Sequence, residues 1–120
     1  MWTNDQKLIV LFQKVNRTYF DNTLKIKAIY WCPISDLHNG NPNYPFWAQC
    51  MIGSREIRLL DKLKTKAPKY VLEYLIYHEC LHLFWTNHCQ SFKKAEKLFK
   101  RFKRADVWLD QHESILKAGR

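Results

Sequence analysis

No uninterrupted apolar run in this chain approaches the ~20 residues a membrane-spanning helix needs, so the membrane class is set aside. The opening stretch, MWTNDQKLIVLF, puts an acid ahead of a short apolar segment and has no small-residue cleavage site. No signal peptide is expected, and Leu8 to Phe12 read instead as one buried helix face. The four cysteines, Cys32, Cys50, Cys80 and Cys89, show no CxxC spacing. Without an export signal, free thiols in a reducing cytoplasm are expected rather than two disulfides. There is no internal repeat and no low-complexity segment. Acids are scarce: 11 Asp and Glu stand against 20 Lys and Arg, a formal charge of +9.

What is there suffices for a packed globule. At 120 residues the chain reads as a single domain, 1–120, with 106–120 as a C-terminal tail. Apolar residues make up 47% and aromatic residues 15%, which excludes a disordered chain. The positive charge favours anionic partners, nucleic acid or acidic protein surfaces, or serves solubility alone. No membrane partner is expected, and the composition leaves the oligomeric state open.

The pattern predicts an α+β fold. From Asp5 to Phe20, Leu8, Phe12, Val15 and Tyr19 recur at helical spacing, and Asp21-Asn22 stop the helix. Leu24 to Trp31 alternate apolar and basic residues, as a half-buried strand does, and Pro33 ends it. Ser35 to Pro45 is rich in turn formers and reads as an exposed loop. Phe46 to Ile52 and Arg55 to Leu60 form two more strands around a Gly53-Ser54 turn. The three strands predict a small antiparallel or mixed sheet. Asp61 to Ala67 is a basic linker. Pro68 opens a helix running to about Thr86, with Val71, Leu75, His78, His82 and Trp85 on one stripe. A basic helix follows from Ser91 to about Arg104. Its inner face is Phe92, Ala95, Phe99 and Phe102; its outer face carries lysines and arginines. The tail, Asp106 to Arg120, has an apolar knot at Val107-Trp108-Leu109, and Asp110 with Glu113 could cap a last short helix.

Chemistry concentrates in HECLHLFWTNH, His78 to His88. His78-Glu79-Cys80-Leu81-His82 is an HExxH motif. Four residues are slightly more than one helical turn, so both imidazoles can share one ion. Glu79 sits roughly 100° around the helix, out of the coordination plane but within reach of the attacking water. That is the position of a general base in metal-assisted hydrolysis. Imidazole ligands with an open fourth position suit zinc. Two hydrogen-bonded helix histidines are the plainer reading, and the apolar stripe and a third nearby histidine argue against it. The third ligand is expected to be His88, swung back by a left-handed Asn87 that ends the helix. Glu96, the only acid in the basic helix, is the competitor. It could instead pair with Lys93 or Lys100, or orient a ligand from behind. Cys89 is a poorer candidate, because a thiolate would weaken the metal as an electrophile. Cys80 is expected in the core, and His38 and His112 exposed without a role.

Two families of metallopeptidase space their histidines this way. The metzincin pattern HExxHxxGxxH fits His78, His82 and His88, but its glycine falls on Trp85, which disfavours positive φ, and no methionine follows Met51. The chain more closely resembles the SprT-like and minigluzincin group of small zinc metallopeptidases, YgjP-like chains included. The resemblance runs through NRTYF at Asn16 to Phe20, LKIKAIYW, GSREIRLL, PKYVLEYLIYHECLH and NHCQSFKKAEKLF. It implies an N-terminal helix, a three-stranded sheet with GSREIRLL at its edge, the HExxH helix, and a second helix after the third ligand. It also implies zinc-dependent peptidase activity. Some SprT-like members act on proteins bound or crosslinked to DNA; this chain lacks a separate DNA-binding module, and its basic helix could substitute only weakly.

The function expected is therefore a zinc endopeptidase acting on a protein or peptide substrate. His78, His82 and His88 hold the ion, Glu79 is the base, and the substrate lies extended beside Arg55 to Leu60. A YbeY-type zinc endoribonuclease is an alternative, although its motif has glycine where Glu79 stands. A nucleic-acid-binding module with structural zinc is another. Val107-Trp108-Leu109 could fold over the cleft as a plug, or simply pack in the core.

Overall fold

A computed structural model describes residues 4–38 and 45–117 of the chain. The first helix, α1 (Gln6–Tyr19), starts where Asp5 Oδ1 accepts the Leu8 amide at 3.0 Å, satisfying one of the orphan donors of its first turn. Leu8, Leu11, Phe12 and Val15 form its buried face. Asp21 and Asn22 end it in left-handed backbone, φ 52° and 62°, a conformation their short polar side chains tolerate. Buried Asn16 fixes the exit: its amide group donates to Leu24 O at 2.9 Å and accepts from Leu24 N at 3.0 Å.

The sheet contains β1 (Ala28–Cys32), β2 (Ala48–Met51) and β3 (Glu56–Leu60) in the order β1-β3-β2. It is mixed: β1 runs parallel to β3, and β2 antiparallel to it. This corrects the expectation that GSREIRLL forms the edge. Periodicity marks strands but not their neighbours; burial assigns the centre. Ile57, Leu59 and Leu60 are all fully buried, which a strand flanked on both sides achieves. β2, ending in half-exposed Cys50 and exposed Met51, takes the edge. A tight turn with Arg55 at φ 56° joins β2 to β3. The parallel β1–β3 pair needs a crossover, which begins in a short 3-10 turn, Ile34–Asp36. The loop expected over Ser35 to Pro45 lies partly outside the described residues.

The basic linker contains a one-turn helix, α2 (Leu63–Lys66), pinned by fully buried Leu63. The central helix is α3 (Lys69–Leu81), directly after Pro68. It is buried on nearly every side, packing against α1, the sheet and the helices that follow, as expected of a helix apolar around most of its circumference. It ends at Leu81, one turn short of the expected Thr86. Leu83 and Phe84 donate to Cys80 O and Leu81 O at 3.1 and 3.0 Å, so the last turn tightens and bends away.

The expected basic helix Ser91 to Arg104 is two helices, α4 (Gln90–Glu96) and α5 (Phe102–Gln111). A continuous helix would stack Lys93 on Lys97 and Lys100 on Arg104, like-charge pairs costing about 0.2–0.5 kcal/mol each. The break also turns Phe99 inward, with its ring centroid 5.4 to 5.6 Å from those of Tyr19, Tyr77 and Tyr74. Burying such a ring contributes about 1.5–3 kcal/mol, so packing outweighs the lost helical turn. Tyr19 Oη accepts the Lys100 amide at 3.0 Å and seals the break. Residues 106–111 are thus the second half of α5 rather than a tail, and Asp110 lies inside that helix rather than capping another. The last helix, α6 (Ser114–Lys117), follows with Ile115 buried. No helix among the described residues is long and apolar enough to cross a membrane.

Candidate metal centre

His78 lies in the last turn of α3 and His82 caps it. The tightened turns that follow, together with α4, whose N-cap is Cys89, bring His88 back over the same end of α3. Asn87 is not in left-handed backbone; the early end of α3 makes that device unnecessary. The ring centroids lie 5.2 Å (His78–His82), 5.3 Å (His78–His88) and 4.9 Å (His82–His88) apart. One nitrogen from each ring falls within 4.8 Å of the others, a group able to hold a metal ion. Phe92, fully buried, packs against all three at 5.0, 4.6 and 4.9 Å. It gives the rings an apolar floor and restricts their rotation.

The far nitrogens of His78 and His82 are engaged. Nδ1 of His78 lies 2.5 Å from Glu96 Oε2, and Nδ1 of His82 lies 3.0 Å from Trp85 O. A histidine that spends one nitrogen on such an acceptor presents the other as a ligand, so the donor set fits a divalent ion. Glu96 therefore stands behind His78, outside the group of three histidines able to hold a metal ion. Tyr74 Oη donates to the same Glu96 oxygen at 2.9 Å. The sequence hinted at this only through Glu96 being the lone acid of a basic segment; Tyr74, one turn ahead of His78, gave no signal beyond its place on the helix.

Electrostatics follow the contacts. Burial disfavours a charged His78, but the Glu96 bond and the Glu79 carboxylate outweigh it and lift the imidazole above its ordinary range. Burial would raise Glu96; its bond and charge interaction with His78, and then Tyr74, hold it below the usual carboxylate value. His82 and His88 are both lowered, first by burial and then by repulsion among the rings, which favours the neutral form a metal requires. Glu79 is 5% exposed, with Oε2 3.9 Å from His78 Nε2. Burial pushes its pKa up to about 7, against the opposing His78 charge and a hydrogen bond from the Cys50 backbone.

The site opens into a cleft of about 690 Å³. One wall is the edge strand β2. Leu60 N donates to Trp47 O at 2.9 Å, so by antiparallel alternation Ala48 and Cys50 turn their backbone groups away from β3. Cys50 spends its amide on Glu79, and Ala48 borders the cleft. The opposite wall comes from α5 and α6, with Asp106, Leu109, Asp110, Glu113 and Leu116. Leu109 packs in the core, while Trp108 points elsewhere and stacks on His112 at 3.9 Å. Of the apolar knot, only Leu109 lines this wall of the cleft; Val107 and Trp108 line a separate groove.

Of the remaining expectations, Cys80 is fully buried. Cys89 caps α4 and is a free thiol, as are the other three cysteines. His38 and His112 are half-buried rather than exposed, and His112 is held by Trp108, whose carbonyl lies 2.7 Å from its Nδ1.

A family model for the YgjP-like metallopeptidase domain matches residues 42–112, more than half of the chain. This chain belongs to the YgjP-like metallopeptidases. The match spans β2, β3, the HExxH helix, the three histidines and all of α5. Membership implies a metallopeptidase fold and a metal ion, and the histidine trio is the group able to hold one. No curated protein matches the chain.

Proposed function

We propose that the chain is a zinc-dependent endopeptidase in which His78, His82 and His88 hold the ion and Glu79 is the general base. The observation that carries this reading is the Glu79 carboxylate, 3.9 Å from His78 Nε2 at the floor of a cleft bordered by the edge strand β2. When bound, zinc supplies Lewis acidity, polarising the scissile carbonyl and making water acidic enough to yield a nucleophile near neutral pH.

The chain's own residues do the rest. Glu79 takes a proton onto its carboxylate as water attacks the peptide carbonyl carbon, then returns it to the departing amine nitrogen. The Cys50 amide holds that carboxylate in place. Glu96 and Trp85 O fix the rings of His78 and His82, and Tyr74 fixes Glu96. A protein or peptide substrate lies extended along β2, where the backbone of Ala48 faces away from β3. The edge that receives it is β2, not the central strand β3.

Metal content and casein hydrolysis test the reading together. Wild type should carry one equivalent of zinc and cleave. Glu79→Gln should carry zinc without cleaving, and His88→Ala should lose zinc. Hydrolysis unchanged in Glu79→Gln would end the assignment.

A further inference from the structure

Seven of the twelve residues from Lys93 to Arg104 are lysine or arginine, and all seven are exposed. The single acid among them, Glu96, is turned inward onto His78. Among the described residues none of the seven forms an ion pair. Charge of one sign left this dense and unneutralised repels itself unless a polyanion meets it.

The same surface contains a groove of about 480 Å³, lined by Tyr70, Lys103, Arg104, Val107, Trp108 and Gln111. Two guanidinium groups gather on Tyr70: Arg104 lies 4.7 Å and Arg101 5.9 Å from its ring centroid. Trp108 is stacked by His112 at 3.9 Å, which fixes the indole plane where it borders the groove. Val107, 46% exposed, adds apolar surface beside it. The groove therefore offers cations and aromatic surface side by side, Arg104 lying against Tyr70 and the Trp108 indole held rigid by His112. Phosphates need the first and unstacked bases the second; duplex nucleic acid hides its base faces, and the carboxylates of an acidic peptide engage the cations alone.

We infer that this groove binds single-stranded nucleic acid. The backbone phosphates are held by Arg101, Lys103 and Arg104, and a base packs on Trp108 beside Tyr70. The groove and the cleft use different residues, so the strand is a tether and not a substrate. The site neither uses the metal ligands nor depends on the peptidase reading.

The test is fluorescence anisotropy of the 120-residue chain with a labelled oligothymidine of about 15 nucleotides. Binding should weaken as salt rises, with a log–log slope of about −0.7 per phosphate contact. A Lys103→Glu, Arg104→Glu variant should lose at least about tenfold in affinity and flatten that slope. Trp108→Leu should lose about tenfold while keeping the slope, because stacking carries no counterions. Tyr70→Leu is the second aromatic variant, should Trp108→Leu fail to give the native circular dichroism spectrum. Glu79→Gln should bind the strand as wild type does, and the strand should stay intact. Four results would overturn the inference: no binding at about 50 mM salt; equal binding of a duplex of the same length with no loss in the aromatic variants; phosphatidylserine vesicles displacing the strand and showing the same loss in every variant; or cleavage of the strand.

Discussion

Helix α5 serves two surfaces of opposite sign. Asp106 and Asp110, with Glu113 just beyond, border the histidine cleft, while Lys103, Arg104, Val107, Trp108 and Gln111 border the groove. Ala105 and Leu109, four apart, are buried between the two sets. Three stripes at helical spacing thus give one ten-residue helix a core contact, an acidic wall and a basic wall. The chain's net charge of +9 describes neither surface by itself. Charge here is sorted by side of the molecule, and each surface has to be read from the residues that face it.

If the two sides are independent, variants on one should leave the other untouched. The largest effect expected is on turnover: Glu79→Gln should lower it by about 10²- to 10⁴-fold, with strand affinity within error of wild type. Phe99→Ala should come next, because that ring pins the α4–α5 break against α1 and α3. A loss of about 3–5 kcal/mol in urea unfolding is expected, and it should impair both sides together. A change below 1 kcal/mol would mean that the aromatic cluster does not hold the break. Glu96→Gln should then weaken zinc binding by about 10- to 100-fold, read by competition with a chelating dye. A larger loss than in His88→Ala would exchange the roles of those two residues. Removing zinc with a chelator should abolish hydrolysis and leave strand binding unchanged. The smallest effect is expected from Asp106→Asn with Asp110→Asn. These acids face the cleft, so strand affinity should change by no more than about twofold, within the reach of screened charges. A tenfold rise would show that the two walls act as one field.

Much of the centre was legible beforehand because it rests on short-range geometry. HExxH puts two imidazoles on one side of a helix whatever the rest of the chain does, and His88 lies too near in sequence to go far. Glu96 was visible as an acid out of place. Its bond to His78 was not, because it depends on α4 turning at an angle that Phe92 and Phe99 set by packing. The Cys50 amide on Glu79 was invisible for a related reason: a backbone group has no signature in the sequence, and its direction depends on which strand lies at the edge.

The same division holds for the fold. Local patterning predicted α1, the core of α3 and the three strands, together with the inward turn of Phe92 and the stop at Asp21-Asn22, since each is decided by neighbours within a turn or two. The strand order, the early end of α3 and the break between α4 and α5 each depended on contacts between residues distant along the chain. Burial of β3 and Phe99 outweighed local preferences that were only tenths of a kcal/mol per residue. Periodicity names the side of an element that will be covered, and only the packed molecule decides what covers it.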